Sequence, residues 1–147
     1  VIVNGENVNG YIRKEEVGNM ASKTSSIPAV RAALLDLQRD MAKTADILMD
    51  GRDIGTNVLP NADLKIYLTA SSKVRAKRRY DELTAKGVPC DLEKIEKDII
   101  IRDEQDMNRE IAPLKKAEDA ILVDSSDMTI DEVVETIKKA FQKKCSK

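Results

Sequence analysis

Apolar and polar positions alternate along this chain in two rhythms, short continuous runs and helical stripes. The opening VIVNGENV is an apolar run, an Asn-Gly pair and a second short run, which predicts strand, tight turn, strand. Residues 14–26 are polar and show no clear period. From Pro28 a helix is predicted, because Val30, Leu34, Leu37 and Met41 recur at the 3.6-residue spacing and Pro28 suits a first turn. Ile47-Leu48-Met49 then reads as a short buried strand, Pro60 and Asn61 as a loop, and Leu64 to Leu68 as another strand. Ser71 and Ser72 can cap a helix that runs to Gly87, where Gly87 and Pro89 break it. Asp91 can cap a long helix to about Ile111, ended by Pro113. Ile121-Leu122-Val123 is a third buried strand. Beyond it, Thr129 and Glu132 form a capping box, with Met128 and Val133 placed for a hydrophobic staple. Ile130, Val133, Val134, Ile137 and Phe141 line one face of the last helix.

Short apolar strands alternating with helices predict an α/β fold, a parallel sheet covered by helices on both faces. Ligands of such sheets bind beyond the carboxyl ends of the strands. The segment DGRDIG, residues 50–55, follows one predicted strand directly.

Composition narrows the chemistry. The 147 residues make one domain's worth of chain, and 41% apolar content is enough for a core. Against 26 acidic residues stand 25 basic ones, so no bulk electrostatic case exists for nucleic-acid binding. The absence of histidine excludes His-ligated metals and Ser-His or Cys-His nucleophiles. Cys90 and Cys145 lack metal spacing and suit a reducing compartment. No run approaches a membrane span and no secretory signal is present, so the expected location is the cytoplasm. The chain opens on Val1 with an apolar run that has no lead-in, which raises the expectation of a truncated chain.

Three clusters could carry chemistry. Asp50, first after a predicted strand, can face Mg²⁺ or its water shell. Gly51 and Gly55 permit close approaches. Arg52 offers a planar fork to phosphate oxygens, and Asp53 can accept from an amino group. The bland alternative is a surface Asp-Gly turn. In the long helix, Ile95, Ile99, Arg102, Asp106 and Arg109 are spaced 4, 3, 4 and 3 apart and share one face. A stripe turning from apolar to Arg-Asp-Arg suggests a helix leaving the core for a polar cleft, with Arg102 and Arg109 holding an anion and Asp106 between them. An exposed ion-pair ladder explains the same spacing equally well. Finally, Arg75, Arg78 and Arg79 cluster on one predicted helical face, where phosphate contact competes with the simpler reading of a solvated basic face. Ser22 and Arg31 carry no local functional pattern. No glycine begins the G-x-x-x-x-G-K-[ST] loop that wraps nucleotide phosphates.

Taken together, SKTSSIPAVRAALLDLQR, DGRDIGTNVLPNADLKIYLTAS, RAKRRYDEL and IRDEQDMNREIAPLKKAEDAILVDSS resemble, in this order and spacing, the cytidylate kinases of the nucleoside monophosphate kinase family. The resemblance runs along essentially the whole chain. It implies a P-loop NTPase-like fold and transfer of the γ-phosphoryl of ATP to CMP or dCMP with Mg²⁺. It implies that Ser22, Arg31 and Asp53 read the cytosine ring, that Arg102 and Asp106 lie near the sugar, and that Arg52 and Arg109 hold the acceptor phosphate. Asp50 would support Mg²⁺ through water. Residues 1–27 would be the remainder of the CMP-binding insertion, 28–83 and 96–147 core, and 84–95 a mobile lid flanked by Arg78 and Arg79. The resemblance further implies that the strand and loop binding the donor phosphates are missing, so that this chain alone is inactive. The parent is expected to be a monomer, while open apolar edges would let the shortened chain associate. A rival expectation is a non-catalytic nucleotide-binding or complementing module that needs a second chain for the donor site. A nucleic-acid-binding domain using Arg75, Arg78 and Arg79 is the weakest option, since only Tyr80 is near enough to stack a base.

Overall fold

The Asn-Gly pair makes the turn its sequence demands. In the computed structural model, which describes residues 1–146 apart from the Glu15 side chain, Asn4 and Gly5 both take positive φ, 52° and 84°. That conformation closes a two-residue hairpin whose twist suits the flanking strands. Strands β1 (Ile2–Val3) and β2 (Glu6–Asn7) accordingly pair antiparallel, Ile2 opposite Asn7 and Val3 opposite Glu6. The polar segment that follows is helical, α1 (Glu15–Ser25), and Pro28 occupies the first turn of α2 (Pro28–Thr44). The apolar stripe of α2 faces outward at Leu34, Leu37 and Met41, each about half exposed.

The chain divides into two compact units, Val1–Leu48 and Met49–Lys147. The second holds a parallel strand pair, β3 (Ile66–Thr69) and β4 (Ile121–Asp124), in the register Ile66–Ile121 to Thr69–Asp124. Between them run α3 (Ser72–Ala85) and α4 (Leu92–Asn108), which pack on each other, and α5 (Ile130–Cys145) follows β4. The helix ends follow from local chemistry. Ser71 accepts from the Val74 amide at 3.3 Å and Asp91 from the Lys94 amide at 2.7 Å. Gly87, at φ 68°, ends α3 in a Schellman motif, with the Gly87 amide on the Thr84 carbonyl and the Val88 amide on that of Leu83. The capping box of Thr129 and Glu132 is fully made.

Two expectations need correction. Ile47-Leu48-Met49 is neither a strand nor buried: it pairs with nothing among the described residues, and Leu48 is 97% exposed. An apolar run becomes a strand only where a neighbour supplies the hydrogen-bond ladder. Nor is the sheet covered on both faces. By the register, Leu68 lies on the face of Val123 and Leu122 on the opposite face, yet both leucines are more than half exposed. The buried apolar residues are few: Val58, Ala70, Ala76 and Val123.

Candidate functional site

The most polar of the buried places in the second unit is where DGRDIG meets the end of α4. After Arg52, the chain enters a wide turn over Ile54–Val58, closed by the Asn57 and Val58 amides on the Asp53 carbonyl at 2.9 and 3.2 Å and by the Leu59 amide on that of Ile54 at 2.7 Å. This turn passes so near β3 that a Cβ on Gly55 would lie 3.3 Å from the Lys65 side chain. Lys65 in turn is anchored on the Pro60 carbonyl and on Asp119.

The turn buries Asp53, and the last turn of α4 buries Asp106. Asp106 Oδ2 accepts from Arg52 Nε at 3.0 Å, while its Oδ1 lies 3.9 Å from Arg109 Nη1. Arg109 Nη2 lies 3.7 Å from Asp53 Oδ1. Asp53 Oδ2 accepts from the Asn57 side-chain amide at 3.1 Å. The structure thus brings together Arg52, Asp53, Asp106 and Arg109, two cations and two buried carboxylates. Arg109 is steered by its own chain. Past the end of α4, Ala112 takes a left-handed φ of 49°, and its carbonyl accepts from Arg109 Nε at 2.6 Å. The Leu114 amide folds back on the Asp106 carbonyl at 2.8 Å. With Nε occupied, Arg109 directs its outer edge toward the carboxylates, and its buried Nη2 has no hydrogen-bond partner among the described residues.

Other candidates sit apart from this cluster. The stripe placed Asp106 between Arg102 and Arg109; its arginine partners are Arg52 and Arg109, and Arg102 is exposed. Asp50 is exposed at the mouth of the same segment. The α3 arginines diverge rather than form one basic face. Arg75 forks onto both oxygens of Asp103 in α4, at 3.0 and 2.5 Å, and that pairing raises its pKa. Arg78 reaches the Ser125 and Met128 carbonyls beyond β4. Arg79 stays within its helix on Glu82, whose carboxyl is held at about 2, first by the Lys86 hydrogen bond and then by that of Arg79. Residues 84–95 span the end of α3, the Gly87 turn and the first turn of α4.

In the first unit, Ser22 and Arg31 converge on Ser25 at the α1–α2 junction. Ser25 Oγ donates to the Ser22 carbonyl at 2.8 Å, and Arg31 Nη1 donates to the Ser25 carbonyl at 3.1 Å. The sequence reading overlooked Asn57 and Ala112. Asn57 stands four positions after an acid inside a glycine-bearing turn, a signal that could have been read. Nothing in the sequence marks the Ala112 carbonyl.

The described residues hold no cluster of three or more metal-ligating side chains. A single acid such as Asp50 suits a Mg²⁺ ion, which keeps several waters and is held chiefly through substrate phosphates. No helix is long and apolar enough to cross a membrane.

A parallel α/β unit with two arginines converging beside buried acids has the makings of a site for an anionic ligand. The chain belongs to the cytidylate kinase family, whose match extends over residues 1–143. It is 50% identical over 137 residues to a cytidylate kinase of Exiguobacterium sp., covering 93% of this chain and 61% of that protein. It is 53% identical over 137 residues to one of Geobacillus sp., with 93% and 61% covered. To one of Thermosipho melanesiensis it is 48% identical over 143 residues, with 97% and 66% covered. The chain therefore spans 61–66% of the length of these relatives.

Proposed function

We propose that this chain is the acceptor-nucleotide part of a cytidylate kinase with a P-loop NTPase-like nucleoside monophosphate kinase fold, in which ATP phosphorylates CMP or dCMP. Support comes from family membership and from one observation above all, the buried Arg109 Nη2, which has no hydrogen-bond partner among the described residues. A phosphate oxygen is the natural acceptor for such a nitrogen. Phosphoryl transfer asks the protein mainly for positioning and charge stabilisation. On this reading Arg52 and Arg109 grip the acceptor phosphate, and Asp106 holds both guanidinium groups in place. Asp53, Ser22 and Arg31 read the base, and Arg102 with Asp106 borders the sugar. Asp50 would hold the water shell of Mg²⁺, which when bound would supply charge neutralisation at the phosphates. Residues 84–95 close over the site with Arg78 and Arg79 at their flank, excluding water. The donor-phosphate loop is supplied by residues outside this sequence.

Thermal unfolding of the 147-residue chain with CMP, and with UMP as control, tests this reading. A ligand that binds only the native state raises the midpoint. A midpoint raised by CMP and not by UMP is expected. Equal shifts, or none from either nucleotide, overturn the acceptor-site reading.

A further inference from the structure

We propose, on the reading that Arg52 and Arg109 grip the acceptor phosphate, that Arg75 is a positioning residue for that grip. It acts through Asp103, which sets the place of Asp106 and Arg109 at the end of α4. Five residues of α4 are not exposed, Ile95, Glu96, Ile99, Asp103 and Asp106, and three of them are acids. Counted from Glu96, the steps to Ile99, Asp103 and Asp106 are 3, 4 and 3, so these four share one face. Each acid of that face has a partner outside the helix. Glu96 accepts from Ser72 Oγ at 2.9 Å, Asp103 takes the fork of Arg75 at 3.0 and 2.5 Å, and Asp106 takes Arg52 Nε at 3.0 Å. The covered side of α4 is therefore attached by polar pairs more than by apolar packing.

Such an attachment fixes geometry. A forked arginine-carboxylate pair is planar and directional, whereas apolar contact is not. Arg75 is itself tied to the sheet: its Nε donates at 3.0 Å to the carbonyl of Ala70, the buried residue just past β3. A continuous path thus runs from the end of β3 through Arg75 and Asp103 to Asp106, one turn further along the helix. From Asp106 it reaches both site arginines. Nε, Nη1 and Nη2 of Arg75 are all engaged within the chain, so its fork serves α4. A lysine there keeps the charge but gives up the fork and the Nε bond, which frees α4 to shift. Arg109 Nη2 must meet a phosphate oxygen within the narrow range of a hydrogen bond, so even a small shift of α4 weakens the grip.

The test is calorimetric binding of CMP and of cytidine, which lacks the phosphate, to the 147-residue chain and to Arg75→Lys, Asp103→Asn and the double variant. Melting curves are recorded alongside. CMP affinity is expected to fall about tenfold in each single variant and cytidine affinity less, so the CMP-to-cytidine ratio shrinks. Because both residues act through one pair, the double variant should lose no more than the worse single one. A lowered melting midpoint with the wild-type ratio intact would leave Arg75 a brace between α3 and α4 and overturn the proposal. Losses that add in the double variant overturn the path through Asp103. A wild type that binds cytidine as tightly as CMP overturns the phosphate reading, and this inference with it; variants that keep a wild-type preference for CMP overturn this inference alone. Should the variants fail to melt cooperatively, the wild type supplies the second measurement, exchange of the Arg75 Nε proton with water. Coupling between sites is reciprocal, so CMP is expected to slow that exchange and cytidine to leave it. Equal exchange with both overturns the proposal.

Discussion

Arg109 Nη2 and Asp53 Oδ1 stand 3.7 Å apart, oppositely charged and shielded from water, without a hydrogen bond between them. A buried donor left unmade costs about 1–3 kcal/mol. An anionic oxygen seated against Nη2 recovers that cost, which makes Arg109 the residue on which phosphate affinity should depend most. Arg109→Lys keeps the charge but loses the planar fork and the Nε bond to the Ala112 carbonyl. We expect CMP affinity to fall on the order of ten- to hundredfold, about 1.4–2.8 kcal/mol, in titration calorimetry. Unchanged affinity would place the phosphate elsewhere.

Asp106 and Arg52 form an ion pair with unequal burial: the Asp106 side chain is 7% exposed and that of Arg52 47%. Truncating the two ends should therefore give unequal losses. Asp106→Ala leaves Arg109 shielded with less compensation and is expected to destabilise by about 3 kcal/mol in urea unfolding. Arg52→Ala removes a half-solvated partner, while Asp106 keeps Arg109 at 3.9 Å, and should cost about 1 kcal/mol or less. Equal losses would mean that Arg52 is as desolvated in solution as Asp106.

Local rules in this sequence translated into structure where the chemistry was self-contained. The Asn-Gly hairpin, the caps at Ser71, Asp91 and Thr129, and the Gly87 stop each depend on residues a few positions apart, and each formed. Parallel pairing of β3 with β4 was legible from alternating strands and helices. Ile47-Leu48-Met49 failed as a strand because a ladder partner is a long-range property that apolar content does not encode. The same limit applies to the site. Helical spacing brought Asp106 and Arg109 together, but it could not say that Arg52, far away in sequence, would displace Arg102 as a partner of Asp106. Asn57 was legible in principle, four positions after Asp53 in a glycine-bearing turn, whereas the Ala112 carbonyl entered through a left-handed residue that leaves no side-chain pattern.

Acid should loosen the end of α3 in a defined window. The Glu82 carboxyl is held at about 2 against an ordinary 4.5 by hydrogen bonds from Lys86 and Arg79. A depressed folded-state pKa means that its contribution is fully present above about pH 4.5 and fades as pH falls through that value toward 2. The side chains are solvent-exposed, so salt should weaken the effect. Carboxyl resonances followed by NMR are expected to show Glu82 titrating well below the ordinary 4.5. In Glu82→Gln the melting midpoint should drop slightly at pH 7 and match the wild type near pH 2. A Glu82 midpoint close to 4.5 would mean that the two cations are not held there in solution.

Leu68 and Leu122 lie on opposite faces of the β3–β4 pair and are 54% and 57% exposed. Parallel strands are normally buried on both faces, and an apolar sheet with open edges is a template for further pairing. Self-association that grows with protein concentration is therefore expected in sedimentation velocity. Leu68→Lys puts a charge on one face and Leu122→Lys on the other. Each should shift the distribution toward monomer, and the double variant should do so most, with little change in helical content because neither side chain is buried. If the wild type sediments as a monomer at all concentrations, the leucines are covered in solution by contacts within the chain. Association that persists in the double variant would direct attention to α2 instead, where Leu34, Leu37 and Met41 form the other exposed apolar stripe.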